Sequence, residues 1–64
     1  MTVNGKRYEH RPGLTLHRLL DEMNADQRMV VVMHGEEIYR AGQIPDAPLA
    51  DKDIVEVVTM AQGG

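Results

Sequence analysis

The residues best suited to chemistry stand at the end of the sequence, where Ala61-Gln62 is followed by Gly63-Gly64. Glycine has no Cβ, so two consecutive glycines can enter a narrow site in backbone conformations that other residues avoid. Nothing then crowds the main-chain carboxylate of Gly64. A carboxylate is a poor electrophile, because its charge is delocalised and oxide is a poor leaving group, so it must first be activated. Taken alone, a Gly-Gly terminus is more often only a loose chain end.

Other candidates for catalysis or metal binding are weak. The sequence has no cysteine, which excludes disulfides, cysteine ligands and a cysteine nucleophile. His10, His17 and His34 lie on three different predicted elements, so we interpret them as surface histidines and not as metal ligands. Asp51 and Asp53 flank a predicted turn, where aspartate commonly caps the backbone. Because no nucleophile, base and orienting group come together, we predict no catalytic residue, no metal site and no cofactor.

The composition narrows the class of partner. The 64 residues carry a net charge of -3 and include no Phe or Trp, so clustered cations and aromatic platforms typical of nucleic-acid binding are missing. An acidic surface suits a protein partner with a basic docking face. No apolar run approaches the ~20 residues that span a bilayer, and no apolar leader opens the chain. We therefore expect a cytoplasmic protein that binds neither nucleic acid nor membranes.

The pattern along the chain predicts one small domain over residues 1–60 and a flexible tail over residues 61–64. Asn4-Gly5 favours a tight turn between two short strands. Thr15 suits a helix N-cap. Four apolar residues then recur at helical spacing and predict a helix of roughly three turns. They are Leu16, Leu19, Leu20 and Met23.

Three more strands are expected after the helix. Met29 to Met33 is a short apolar run typical of a buried central strand, and Glu37 to Tyr39 and Ile54 to Met60 follow it. An irregular stretch from Ala41 to Asp53 is expected to be pinned to the core by Leu49. The order β-β-α-β-β-β predicts an α+β domain, a mixed sheet with one face covered by one helix. The expected core residues are Leu16, Leu19, Leu20, Val30, Val32, Val55 and Val57.

Several short motifs occur in an order that resembles one family. They are Val3-Asn4-Gly5, Gly13-Leu14-Thr15-Leu16, Leu49 before Asp53-Ile54-Val55-Glu56-Val57-Val58, and the terminal Gln62-Gly63-Gly64. Over essentially its whole length the sequence resembles the ThiS family, the sulfur carriers of thiamine thiazole biosynthesis within the ubiquitin-like ThiS/MoaD superfamily. The resemblance implies a β-grasp fold. Two positions depart from the family pattern, because His34-Gly35 stands where relatives commonly have Asn-Gly and Lys52-Asp53 where they often have Gly-Asp.

The resemblance also implies a reaction and its partners. A ThiF-like enzyme would use ATP to adenylate the carboxylate of Gly64, and sulfur from a persulfide protein would displace AMP to leave a thiocarboxylate. A ThiG-like thiazole synthase would then take that sulfur. The chain would be a protein co-substrate, not an enzyme, and a monomer when free.

Three other functions stay open. A MoaD-like carrier would give its sulfur to molybdopterin or to another thio-product, although MoaD relatives are usually longer than this chain. A ubiquitin-like modifier would become attached to lysines through Gly64. A plain β-grasp interaction module would leave the terminus unused. The fate of Gly64 separates these functions.

The last strand predicts a docking surface close to the terminus. Successive side chains of a strand point to opposite faces of the sheet, so if Val55 and Val57 face the helix, then Glu56, Val58 and Met60 face away from it. A single helix covers only one face, which leaves Val58 and Met60 as apolar groups in water. We expect this face, with Val58 and Met60 as anchors, to dock on the activating enzyme.

Overall fold

The structure, a computed structural model, describes residues 1–60. The predicted order β-β-α-β-β-β is confirmed over these residues. The elements are β1 (Thr2–Val3), β2 (Lys6–Arg7), α1 (Leu16–Glu22), β3 (Val30–His34), β4 (Glu37–Tyr39) and β5 (Ile54–Thr59).

All of these strands join one sheet in the order β2-β1-β5-β3-β4, so β5 is the central strand. The β1 and β5 strands run parallel, whereas the other neighbouring strands are antiparallel. The sheet is therefore mixed, as predicted, and α1 packs its leucines against the core residues of one face. The α+β, β-grasp architecture expected from the sequence is confirmed.

The first hairpin has the predicted turn. Asn4 and Gly5 both adopt positive φ angles, of 53° and 78°. Two consecutive left-handed residues are what a two-residue type I′ turn requires, and Asn-Gly is the residue pair that adopts them most readily. The turn ends β1 after Val3 and sends the chain back as β2.

The helix begins where the sequence predicts and ends earlier. The Thr15 hydroxyl accepts a hydrogen bond from the Arg18 N–H at 3.3 Å, which makes Thr15 the N-cap. At the other end Asn24 adopts a φ of 57°, and the Ala25 N–H donates to the Leu20 carbonyl at 2.8 Å. These features form a Schellman motif, which stops the helix after two turns. Met23 still packs against the core, but as the C-cap.

Six of the seven predicted core residues are buried, and Val57 is the exception because it is only partly buried. The reason lies in β1, which pairs with β5 only as far as Val3 opposite Val55. Beyond that pair the chain turns away at Asn4, so no β1 side chain flanks Val57. The core also contains residues that the sequence analysis did not assign to it, namely Val3, Leu14 and Ile44.

The segment 41–53 is irregular, as predicted, and is fixed to the body of the domain. Leu49 is buried, and its N–H donates to the Leu14 carbonyl at 2.9 Å. The Leu16 N–H in turn donates to the Ala47 carbonyl at 2.9 Å. No helix within residues 1–60 is long and apolar enough to cross a membrane.

Candidate functional site

The predicted reacting residue Gly64 lies outside the described residues, together with Gly63 and Gln62. The structure does describe the strand that precedes them. β5 is held between β1 and β3, and the Met60 N–H donates to the Met29 carbonyl at 2.9 Å. Pairing of the β5 end with the chain at the start of β3 therefore continues to the last described residue.

Side chains along β5 alternate between the two faces as predicted. Val55 is fully buried under the helix, whereas Val58 is 48% exposed and Met60 is 42% exposed. Glu56 is half-buried. The exposure predicted for Val58 and Met60 is confirmed, while their role in docking stays a prediction. Ile54, at 60% exposure, belongs to the same alternating set.

The pairing register extends this exposed surface across two more strands. Val58 lies opposite Val31 and Glu56 lies opposite Met33, and Met33 in turn lies opposite Ile38. Directly opposed residues project to the same side of a sheet. We call this surface the open face; it comprises Val31, Met33, Ile38, Ile54, Glu56, Val58 and Met60.

The open face holds all four large hydrophobic side chains that are exposed in the described part of the chain: Ile38, Ile54, Val58 and Met60. Sequence reasoning missed two of them. The period of two that placed Val58 on this face also reaches Ile54, so that residue could have been found. Ile38 could not, because its face depends on the register between β3 and β4.

Asn4 extends the support of β5 on its β1 side. Its backbone N–H donates to the Val55 carbonyl at 2.9 Å, and its side-chain Oδ1 accepts from the Val57 N–H at 2.7 Å. The amide thus replaces a strand partner where β1 has already ended. This contact holds the backbone of β5 in place beside Glu56 and Val58.

The three histidines are only partly exposed, and each makes a structural contact that the sequence analysis did not predict. Each is half-buried and donates a hydrogen bond from Nε2 to the segment 41–53. The acceptors are the Leu49 carbonyl for His10 at 2.8 Å, the Ile44 carbonyl for His17 at 2.7 Å and Asp53 Oδ2 for His34 at 2.7 Å. No group of acidic or histidine side chains within residues 1–60 is arranged to hold a metal ion.

Asp53 caps the turn before β5, as predicted from its position. Its Oδ2 accepts the Ala50 N–H at 2.8 Å as well as the His34 bond. The Ala50 hydrogen bond and then the His34 hydrogen bond lower the pKa of Asp53 below its usual value of 3.8, and outweigh the opposing effect of burial. His34, at one of the two positions that depart from the family pattern, therefore contacts Asp53, the residue that follows Lys52 at the other.

A second charged cluster ties the loop after β2 to the helix. The Tyr8 hydroxyl donates to Glu22 Oε1 at 2.6 Å, and Arg11 forms an ion pair with the same carboxylate. The bond to Glu22 raises the pKa of Tyr8, while the Tyr8 and Arg11 contacts lower the pKa of Glu22. These pKa shifts keep the Tyr8 hydroxyl protonated and the Glu22 carboxylate ionised. This arrangement suits a structural role and does not supply a general base.

Comparison with known proteins gives a family match and a named relative. The whole chain, residues 1–64, matches the ThiS family. A protein named sulfur carrier protein ThiS, from Thermus thermophilus, is 45% identical to it over 58 residues. That alignment covers 88% of this chain and 91% of the relative.

Proposed function

The chain belongs to the ThiS family of small sulfur-carrier proteins, and we propose that it carries sulfur on the main-chain carboxylate of Gly64 for the thiazole ring of thiamine. The family match carries this proposal, because it extends over residues 1–64 and so includes Gly63-Gly64. The protein serves as a carrier and not as a catalyst. The position of β5, which is central in the sheet and is the last strand before these residues in the sequence, supports the same assignment.

The proposed chemistry runs in three steps. A carboxylate oxygen of Gly64 attacks the α-phosphorus of ATP, and pyrophosphate leaves. The terminal sulfur of a protein persulfide then attacks the carbonyl carbon of the adenylate, and AMP leaves with the bonding electron pair. A second thiol of the donor system reduces the resulting acyl disulfide, which forms a disulfide on the donor side and frees the thiocarboxylate at Gly64.

The proposal names three partner proteins by what they do. A ThiF-like enzyme adenylates Gly64, a persulfide-bearing protein supplies the sulfur, and a ThiG-like thiazole synthase consumes it. Because ATP and persulfide donors are both available in the cytoplasm, we assign the cycle to that compartment. Between encounters the carrier is a monomer.

We further propose that the activating enzyme binds the open face, with Val58 and Met60 as anchors. Exposed apolar side chains are common on proteins and need no explanation one by one. Here all the exposed large hydrophobic side chains of residues 1–60 share one face, beside the strand that precedes the reacting residue. An apolar face in that place can fix the angle at which the terminus enters the adenylation site.

Removal of Gly64, or addition of one residue after it, tests the carrier proposal. We expect either change to abolish ATP-dependent adenylation, because the reacting carboxylate is lost or displaced. The thermal melt should match that of the unchanged chain, since every hydrogen bond and core contact described above lies within residues 1–60. Normal sulfur transfer by a chain with a blocked terminus would contradict the proposal.

The substitution Val58→Asp tests the docking surface. It places a charge in an apolar contact that must lose its water, so we expect weaker binding to the activating enzyme. Thr59→Asp is the matched control, because Thr59 is exposed and projects to the other side of the same strand. Titration of the enzyme with each variant, paired with melts of the free variants, separates docking from folding. Equal affinity of the Val58→Asp and Thr59→Asp variants would remove the open face from the interface.

A further inference from the structure

Glu56 is a charged residue in the middle of an apolar surface. It belongs to β5, the central strand, and Ile54 and Val58 flank it on the same face. Across the sheet Met33 lies directly opposite, with Ile38 beyond it on the edge strand. A carboxylate in this position has apolar neighbours along its own strand and on the β3 side.

The Glu56 carboxylate has no hydrogen bond or ion pair with any residue in the range 1–60. The register places one other charged strand residue on the same side of the sheet, Arg7 of the edge strand β2. Arg7 pairs with Thr2, and Thr2 with Ile54, so Arg7 lies two strands and two residues away from Glu56. That separation is roughly 12 Å between backbones. Among residues 1–60 the Glu56 carboxylate therefore has no counter-charge and is solvated by water.

Closure of the open face against a partner would remove that water. A carboxylate buried without a counter-charge is strongly unfavourable, whereas one that meets an arginine or lysine forms a charge-assisted hydrogen bond. We propose that the open face recognises a protein surface that is apolar and presents one arginine or lysine opposite Glu56. Resting on the function proposed above, we identify that surface as part of the activating enzyme.

The same carboxylate disfavours a second copy of the chain as the occupant. Glu56 is on the central strand, so two open faces packed about a two-fold axis would bring two Glu56 carboxylates close together. Like charges in a dehydrated contact oppose each other. The net charge of -3 on each chain adds to this repulsion. A cationic partner surface supplies a counter-charge for Glu56, whereas a second copy of the chain does not.

A single charge within an apolar patch can also fix how the open face is aligned on its partner. Apolar contacts are not directional, so a flat apolar face tolerates sliding and rotation. One ion pair near the centre favours the position in which the two charges meet and rejects surfaces that carry an acidic group there. Glu56 is thus a specificity-determining residue that aligns β5, and with it the reacting terminus, on the enzyme.

The test is titration of the purified activating enzyme with the full chain and with Glu56→Gln, Glu56→Lys and Glu37→Gln variants, at low and high salt. Glu37 is an exposed glutamate on β4 whose register places it on the helix side of the sheet, so Glu37→Gln is the matched control. We expect Glu56→Gln to weaken binding about tenfold or more and to reduce its salt dependence. Glu56→Lys should weaken it further, and Glu37→Gln should change it less than about twofold.

Three results would overturn the proposal. If Glu56→Gln binds as tightly as the unchanged chain while Val58→Asp still weakens binding, the open face docks without a cationic partner group. If the unchanged chain is a dimer in sedimentation equilibrium and Val58→Asp makes it monomeric, the open face binds a second copy instead. If neither Val58→Asp nor Glu56→Gln alters enzyme binding, the docking part of the proposed function fails together with this inference. Matching melts of all the variants establish that each is folded.

Discussion

Leu20 contributes to stability through packing alone. It is fully buried, faces the sheet from the last full turn of α1, and packs with other aliphatic residues of the core. We predict that Leu20→Ala lowers the free energy of unfolding by ~2 to 5 kcal/mol, from lost burial and from the cavity it leaves. Chemical denaturation measures this change. For a 64-residue domain such a loss is a large share of the total stability.

The matched control is Ile38→Ala on the open face. Ile38 is 66% exposed, so its truncation leaves no cavity and removes only an edge-strand preference, with a cost of up to ~1 kcal/mol. Equal losses from Leu20→Ala and Ile38→Ala would contradict the assignment of the helix face to the core and of Ile38 to solvent.

Single residues were predictable where a local rule fixes them. Thr15 caps α1 because its hydroxyl reaches the Arg18 N–H three residues on, and this spacing is visible in the sequence. The histidines were not predictable. The carbonyl that His17 binds belongs to Ile44, 27 positions away, and only the folded chain brings the two together. Neither the presence of the histidines nor their spacing in the sequence indicates these hydrogen bonds.

At the scale of elements, the irregular segment 41–53 is held by side chains from three different places. His10 reaches it from the loop after β2, His17 from α1 and His34 from β3. Asp46 of this segment accepts the His17 backbone N–H at 3.2 Å near the helix N-terminus. Side-chain hydrogen bonds thus add to the few backbone hydrogen bonds that hold this segment.

Asp53→Asn tests this account of the segment. The depressed pKa of Asp53 means that the unfolded chain binds its proton more readily than the folded chain. Stability from this group is therefore present above about pH 4 and is lost as the pH falls through the folded pKa. We predict a loss of about 1 to 2 kcal/mol for Asp53→Asn at about pH 5. The difference from the unchanged chain should shrink toward about pH 3.

Denaturation curves of both proteins between about pH 5 and pH 3 provide the measurement. Asp51→Asn is the control, because Asp51 is exposed and makes no side-chain contact of this kind within residues 1–60. It should leave the free energy of unfolding nearly unchanged. A destabilisation by Asp53→Asn that stays constant over this whole range would show that shape, and not charge, is the source.

Element types were predictable from periodicity, and element ends were less so. The leucine stripe identified α1, but the stripe runs on through Met23 while the helix stops there. Its end depends on Asn24 adopting a left-handed conformation, which asparagine tolerates without requiring. β3 is displaced by one residue from its predicted bounds, and β4 matches them. Neither outcome changes which side chains are buried.

At the scale of the whole molecule, the sheet has two unlike faces. α1 covers one face, and the other is the exposed, largely apolar open face, which includes the charged residue Glu56. The sequence predicted one covered face and one open face from the presence of a single helix. It did not predict the order β2-β1-β5-β3-β4, because strand pairing across such distances along the chain has no local signature. The extent of the open face over β3 and β4 follows from that order.

Mass analysis of the protein isolated from its native cell shows whether Gly64 carries sulfur. We predict one oxygen replaced by sulfur on the C-terminal fragment, in a form that reacts with a thioacid-selective alkylating agent. The fragment must be isolated, because oxidation of any of the five methionines gives nearly the same mass gain. A C-terminal fragment that is unmodified in cells actively making thiamine, or one joined to lysine through Gly64, would contradict the account.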